Sequence, residues 1–155
     1  MAGDLRVNGN YLLGADPVIY GTAGANIGIG YDNTIGNSGT AFGITNTANN
    51  TGASAVGQYN IATGVLTSAI GYQNTASGIN SAAIGYTNNA TNTFATAIGH
   101  TNNAGALGAI AIGYDNDAYA AASIAMGAGV TNTIANSLMI GPSDAAKLTI
   151  LSSGN

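Results

Sequence analysis

Residues 81–90 read SAAIGYTNNA, and variants of this stretch recur along the chain at an interval of fourteen residues. The glycine is the most regular position and occupies the same place in eight consecutive repeats: Gly43, Gly57, Gly71, Gly85, Gly99, Gly113, Gly127 and Gly141. A fixed short period is typical of a solenoid, in which each repeat forms one coil stacked on the last. We therefore expect an elongated repeat domain that does not enclose an active site.

Two further rows of residues keep the same register. An isoleucine precedes the glycine at Ile70, Ile84, Ile98 and Ile112, and an asparagine follows it by three positions at Asn46, Asn60, Asn74, Asn88, Asn102 and Asn116. Fourteen residues suffice for two strands of about five residues and two tight turns, but not for a strand and a helix. The sequence therefore predicts an all-β fold of about eight coils in two parallel sheets, with like residues stacked roughly 4.8 Å apart.

The repeat array predicts three segments. We assign residues 26–141 to the repeat domain, and residues 1–25 and 142–155 to caps or attachment segments that protect the open sheet edges. Within these ends, residues 5–13 predict two short strands around an Asn-Gly-Asn turn, and residues 146–151 predict another strand. The coil from Gly30 to Gly43 is one residue short, and we expect a turn to absorb the deletion.

Composition excludes several classes of partner. Only 5% of the residues are charged, and Arg6 and Lys147, both outside the repeats, are the only cations. Nucleic-acid binding depends on such cations, so we expect none. No apolar run approaches the roughly 20 residues that span a bilayer, so we expect no membrane insertion. The first ten residues lack the apolar stretch of a signal peptide, and we expect neither a signal peptide nor a membrane anchor in this chain.

The stretch Ser81–Ala90 resembles the head repeat of trimeric autotransporter adhesins of the YadA type, whose theme is Ser-x-Ala-Ile-Gly-x-x-Ala-x-Ala. The resemblance covers roughly residues 26–141. It implies a left-handed parallel β-roll, the association of three chains about a common axis, and a role in surface attachment. The segments 3–10 and 146–150 instead resemble short segments of bacteriophage tail-fibre and spike proteins.

Strand alternation independently favours an oligomer. In residues 81–85 one set of side chains is Ala82 and Ile84, and the other is Ser81, Ala83 and Gly85. One set fills the coil, and the other forms an outward row that needs a partner, which closed cyclic symmetry provides. The sequence leaves open which set points inward.

Several polar and aromatic rows have two interpretations. The row Tyr72, Tyr86, His100 and Tyr114 is either a ladder of stacked rings or a platform for sugars, and we favour the ladder. We also interpret the asparagine row as a ladder of amides bonded from coil to coil, in preference to a ligand site. Asp115 and Asp117, with Asp32 in the register of Asp115, offer oxygen ligands for Ca²⁺, but we interpret them as solvated turn residues.

No catalytic constellation can be assembled from the sequence. There is no cysteine, one histidine, no Gly-x-Ser-x-Gly and no phosphate-binding loop. We therefore expect no catalytic residue, no metal and no cofactor.

The function predicted first is a non-enzymatic homotrimeric attachment protein, a fibre, spike or decoration displayed on a virion. The alternative is the head fragment of a bacterial trimeric autotransporter adhesin, on the cell surface or outside the cell. An ice-binding solenoid is a third hypothesis, although the threonines occupy several registers (Thr47, Thr63, Thr93). Expected partners are further copies of the chain, virion or surface-anchor proteins at the terminal segments, and a host-surface glycan or protein. The residues predicted to contact a receptor are Asn92, Thr93, Phe94 and Tyr119.

Overall fold

The computed structural model describes residues 11–12, 17–20, 26–142 and 148–151, with side chains over 26–142. Long and short strands alternate along this part of the chain, and no helix occurs in it. The long strands are β3 (Ile27–Tyr31), β5 (Thr40–Ile44), β7 (Ser54–Gln58), β9 (Ser68–Tyr72), β11 (Ala82–Tyr86), β13 (Thr96–His100), β15 (Ile110–Tyr114), β17 (Ile124–Ala128) and β19 (Ser137–Pro142). The short strands are β4 (Thr34–Ile35), β6 (Thr47–Ala48), β8 (Ile61–Ala62), β10 (Thr75–Ala76), β12 (Asn89–Ala90), β14 (Asn103–Ala104), β16 (Asp117–Ala118) and β18 (Thr131–Asn132).

The strands form two sheets that wrap around the coils. The long strands β3 to β19 pair in parallel, each with its equivalents one coil before and after it, and the short strands do the same. The register is that of the sequence repeat, as in the pairing of Gly85 with Gly71 and Gly99. The all-β parallel solenoid of fourteen-residue coils, with about eight turns, is confirmed.

Antiparallel strands close the two ends of the long-strand sheet. β1 (Tyr11–Leu12) and β2 (Pro17–Tyr20) precede β3, and β20 (Leu148–Leu151) pairs with β19. The strand predicted over 146–151 is therefore present in its second part. Of the two strands predicted over 5–13, Tyr11–Leu12 is described, and the remaining residues lie outside the described part. The division into segments 1–25, 26–141 and 142–155 stays a prediction.

Alanine fills the interior of the solenoid. The second residue of each long strand from β5 to β17 and the second residue of most short strands are fully buried alanines, such as Ala83 and Ala90. A fourteen-residue coil brings its two sheets so close that larger apolar side chains have no room between them. The largest fully buried side chains are instead asparagines and one threonine, Thr67.

The inward set of side chains is now settled. Ser81 and Ala83 are buried, whereas Ala82 and Ile84 face outward and keep part of their surface exposed. The isoleucine row Ile70, Ile84, Ile98 and Ile112 therefore lies on the outside of the long-strand sheet.

Each coil has two turns of different construction. The asparagine turn joins a long strand to the following short strand and is Thr87–Asn88 in the coil of Gly85; the variable turn, residues 91–95 in that coil, leads to the next long strand. The one-residue deletion lies in a variable turn, which is 36–39 in the first coil and 49–53 in the next. The prediction of two strands of about five residues was wrong for the second, because the asparagine turn and the longer variable turn leave only two residues paired.

Candidate functional site

The buried asparagines form a continuous ladder along the asparagine turns. The Asn88 amide nitrogen donates to the Asn74 side-chain oxygen at 3.0 Å, the Gly99 carbonyl at 2.7 Å and the Ile84 carbonyl at 2.9 Å. The Asn88 side-chain oxygen accepts from both the backbone and the side-chain nitrogen of Asn102, each at 3.0 Å. The same pattern recurs at the other asparagines of the row, which are at most 1% exposed: Asn46, Asn60, Asn74, Asn102 and Asn116. The polar atoms of the ladder thus form hydrogen bonds inside the protein, where no ligand can reach them.

The glycine row makes the asparagine turn possible. Gly43 to Gly127 have φ between +118° and +132°, where residues with a Cβ atom are strained. A Cβ atom at Gly85 would lie 2.1 Å from the Gly99 carbonyl oxygen and 3.0 Å from the Asn88 amide nitrogen. The glycines therefore serve the close approach of adjacent coils. Gly141 lies at the end of the row in β19.

The outer face of the long-strand sheet carries an unbroken apolar row. Successive coils place Phe42, Val56, Ile70, Ile84, Ile98, Ile112, Met126 and Ile140 directly above one another. Phe42 is 52% exposed and Ile70 and Met126 37%. None of the long strands from β3 to β19 contains a charged residue. We call this surface the apolar face.

The aromatic row at the edge of the apolar face is stacked. Ring centroids are 5.3 Å apart between Tyr72 and Tyr86, 4.7 Å between Tyr86 and His100, and 5.1 Å between His100 and Tyr114. The planes differ by 11–24°, so the rings lie face to face. Tyr59 meets Tyr72 edge-on. Because neighbouring rings cover one another's faces, the inner rings of the row offer edges to solvent instead of the open face that a sugar ring packs against.

The outer face of the short-strand sheet is mainly polar, and we call it the polar face. Its side chains flank the buried alanine row on both sides, for example Asn89 and Thr91 around Ala90. The row that starts each short strand reads Thr34, Thr47, Ile61, Thr75, Asn89, Asn103, Asp117 and Thr131. Threonine does not fill this row, so the regular flat threonine surface that an ice-binding solenoid needs is not present on it.

The predicted receptor-contact residues lie in two separate places. Asn92, Thr93 and Phe94 belong to one variable turn, where the Asn92 side-chain oxygen accepts from the Thr93 backbone nitrogen at 3.0 Å. Phe94 is 59% exposed and has φ +60°. Tyr119 instead lies on the polar face, directly after β16, and is 51% exposed.

The acidic residues of the repeats do not converge. Within residues 26–142, no group of three or more histidine, cysteine, aspartate or glutamate residues could hold a metal ion. Asp32 and Asp115 both follow their glycine by two positions, at φ +52° and +54°, and lie in coils at opposite ends of the array. The described residues also include no helix long and apolar enough to cross a membrane.

One known family matches the chain. The family described as YadA head domain repeat matches residues 62–88, 76–102, 90–116 and 104–129, each match covering two copies of the repeat. No match was found among curated proteins or among solved structures. The matched segments advance by one coil at a time, so the family's repeat and the structural coil are the same unit.

Proposed function

We propose that the chain is the head segment of a trimeric surface adhesin, because residues 62–129 match YadA head domain repeats and the same coil continues on both sides of them. The observation that carries the proposal is the agreement between the matched repeat and the structural coil. Head repeats of this family are structural repeats of adhesins, and the family is trimeric. The chain would act by display and contact, without catalysis.

The apolar face supports an assembly of three copies. Its residues form a straight row with no charge, and large exposed apolar rows on soluble proteins mark association surfaces. A three-fold axis parallel to the rod would bring the row of one copy against the rows of two others, so that closed symmetry covers all three. The polar face would then remain on the outside of the trimer.

A solution measurement tests the trimer. The chain has a mass of 15.1 kDa, and we expect sedimentation equilibrium to give three times that mass. The double variant Ile84→Ser, Ile98→Ser removes two adjacent residues from the apolar face and should lower the mass or cause aggregation. Ile61→Ser is the matched control, because Ile61 is a 42%-exposed isoleucine on the polar face. A monomeric parent chain, or a trimer lost equally in the control, would contradict the proposal.

Attachment is proposed for surfaces that remain exposed in such a trimer. The variable turn of Asn92, Thr93 and Phe94 and the polar-face residue Tyr119 are our candidates for contact with a host-surface glycan or protein. Beads coated with the trimer should adhere to host cells. Loss of adhesion in Phe94→Ala, with the trimer intact, would assign contact to this turn; unchanged adhesion would remove Phe94 from the candidates.

Location separates the adhesin from the virion prediction. The head-repeat match favours the adhesin, whereas the virion hypothesis rests on flanking residues that lie largely outside the described part. Immunogold labelling of the cells that produce the chain should place gold on the cell envelope. Gold on virus particles would instead establish the spike or fibre and overturn the adhesin.

A further inference from the structure

Tyr119 differs from all other residues at its position in the coil. The equivalent residues on the polar face are Asn49, Thr63, Ser77, Thr91, Gly105 and Thr133. Among the described residues, Tyr119 is the only aromatic side chain on this face, and Ile61 is the only other large apolar one. A half-exposed aromatic ring on an otherwise polar surface therefore needs an explanation that the repeat itself does not supply.

The ring of Tyr119 lies along the sheet instead of projecting from it. A Cβ atom built at Gly105 would be 3.1 Å from Cδ1 and 3.4 Å from Cε1 of Tyr119, so the ring begins over Gly105. The hydroxyl group accepts a hydrogen bond of 3.0 Å from the Asn103 amide nitrogen. Gly105 and Asn103 are two residues apart in the preceding coil, a separation of about 7 Å along a strand. The ring and its hydroxyl group span this distance, so the side chain of Tyr119 lies over β14.

Polar neighbours hold the ring in this position. The carboxylate of Asp117 lies beside the hydroxyl: burial raises the pKa of Tyr119, the hydrogen bonding and negative charge of Asp117 raise it further, and the hydrogen bond from Asn103 lowers it. The hydroxyl is protonated at neutral pH and accepts its hydrogen bond from Asn103. One side of the ring is thus packed on the sheet while 51% of the residue stays exposed.

We propose that Tyr119, with Asp117 and Asn103 at its hydroxyl end and Thr131 and Thr133 in the next coil, binds a neutral pyranose sugar. The C–H face of a pyranose packs on an exposed aromatic face, and its hydroxyl groups exchange hydrogen bonds with carboxylate, amide and hydroxyl groups. A pyranose is about as wide as the spacing between coils, roughly 4.8 Å, so it can contact both coils. The carboxylate of Asp117 disfavours an anionic sugar.

A peptide partner fits this surface less well. β16 is paired with β14 on one side and with β18 on the other, so no free strand edge is available for an added strand. Peptide and protein interfaces also rely on clusters of aromatic and apolar anchors, whereas Tyr119 has only polar neighbours. A single fixed ring with several hydrogen-bonding groups suits a small polar ring.

This inference rests on the proposed trimer, because one shallow site binds weakly. Three copies of the site on one trimer raise the overall affinity for a sugar-coated surface by an estimated 10²–10⁴-fold over a single site. The polar face is the outer surface of the proposed trimer, so all three sites would be accessible together.

The experiment measures binding of the full chain to surfaces coated with mannose, galactose, N-acetylglucosamine or sialic acid. We expect binding to at least one of the three neutral sugars and none to sialic acid. Tyr119→Ala should reduce binding by about tenfold or more, given the contact of one aromatic ring per site. Gly105→Thr tests the geometry independently, because its side-chain atoms would occupy the space under the ring and displace Tyr119 without removing it.

Tyr114→Ala is the control, since Tyr114 is an equally exposed tyrosine in the stacked aromatic row. Circular dichroism and sedimentation of every variant verify that the fold and trimer persist. Absence of binding to all three neutral sugars, or full binding by Tyr119→Ala, would overturn the sugar site. Adhesion of the parent chain to periodate-treated and untreated cells is measured in parallel, because periodate oxidises the vicinal diols of pyranose sugars. Adhesion that periodate leaves unchanged would indicate a protein receptor and overturn the sugar site, leaving the adhesin proposal standing; no adhesion to untreated cells would mean that the adhesin proposal itself has failed.

Discussion

The two turns of each coil follow different rules. In the asparagine turn, a glycine with positive φ, a residue in the left-handed region and a buried asparagine recur in coil after coil, from Gly43 to Gly113. In the variable turn, one backbone position stays left-handed, yet it is occupied in successive coils by Gly52, Leu66, Asn80, Phe94, Gly108, Ala122 and Asn136. Backbone conformation is thus constant in both turns, whereas residue type is constant only at the glycine and the asparagine of the first.

Contacts between coils explain the difference. The asparagine of the first turn lies in the interior, where its side chain is bonded to the coils before and after it, so a change in one coil disturbs three. The variable turn lies at the surface and its left-handed residue has space around it: a Cβ atom at Gly108 meets nothing closer than 4.0 Å. A repeat protein therefore keeps its register at one turn and can vary its surface at the other.

The strongest test of this comparison is a methyl group in the asparagine turn. In Gly85→Ala the new Cβ atom would lie 2.1 Å from the Gly99 carbonyl oxygen, so adjacent coils must separate. We expect a loss of more than about 4 kcal/mol in the free energy of unfolding, or no folded protein. Gly108→Ala, the same change at a left-handed position of the variable turn, should cost only about 1 kcal/mol. Urea titrations at one protein concentration measure both, and equal losses would refute the comparison.

Removal of one asparagine should have the next largest effect. Asn88→Ala leaves the Gly99 and Ile84 carbonyls and the Asn102 backbone nitrogen without their partner in the interior. We expect a cost of about 3–5 kcal/mol, since each unpaired buried polar group is expensive. Asn89→Ala, one residue further on the polar face, should change the unfolding free energy by less than about 0.5 kcal/mol. Similar values for the two variants would show that the ladder is not a main source of stability.

The variable turn offers a change of opposite sign. Phe94 has φ +60° and is 59% exposed, so its side chain gains little from packing while its backbone is strained. Phe94→Asn should raise the unfolding free energy by about 1 kcal/mol, because asparagine tolerates this conformation. The midpoint of thermal unfolding should rise accordingly by roughly 2–4 °C. Phe94→Leu, which retains the strain, should leave it unchanged, and a loss of stability in Phe94→Asn would imply that Phe94 packs against a neighbouring copy.

The smallest expected effect concerns a single hydroxyl at the end of a variable turn. The Ser81 hydroxyl is buried without a hydrogen-bond partner, whereas the Ser123 hydroxyl, three coils later, accepts from the Ala120 backbone nitrogen at 3.3 Å. Ser81→Ala should be neutral or stabilise by up to about 1 kcal/mol, and alanine is already present in this place as Ala95 and Ala109. Ser123→Ala should lower the free energy of unfolding by a similar amount. A destabilised Ser81→Ala would indicate a bound water at that hydroxyl.

The asparagine turn is also the part of the fold that the sequence specifies most fully. Period, sheet arrangement and coil register follow from the glycine and asparagine rows, because their requirements for φ and for buried hydrogen bonds exclude other residues. The inward set of side chains could not be chosen beforehand, since Ile84 is more apolar than Ala83 yet lies outside. The isoleucines lie outside because the interior between the two sheets is too thin for them. The interior is thin because the second strand of each coil is short, whereas the sequence predicted a longer strand.

The candidate surfaces were less predictable. Phe94 and Tyr119 were both predicted to contact a receptor, but the sequence did not show that Phe94 lies in a variable turn and Tyr119 along the polar face. The contact of Tyr119 with Gly105 and Asn103 joins residues fourteen and sixteen positions apart. A glycine in one coil followed by an aromatic residue at the same place in the next is the signal that could have revealed it.

Every repeat strand pairs with its equivalents in the adjacent coils, and this pairing also determines how the length of the rod can change. No contact between distant coils has to be preserved, so a gain or loss of fourteen codons adds or removes one coil, about 4.8 Å of length, without redesigning the others. A gene encoding this chain can therefore lengthen or shorten the rod in small equal steps, by unequal recombination between its own repeats.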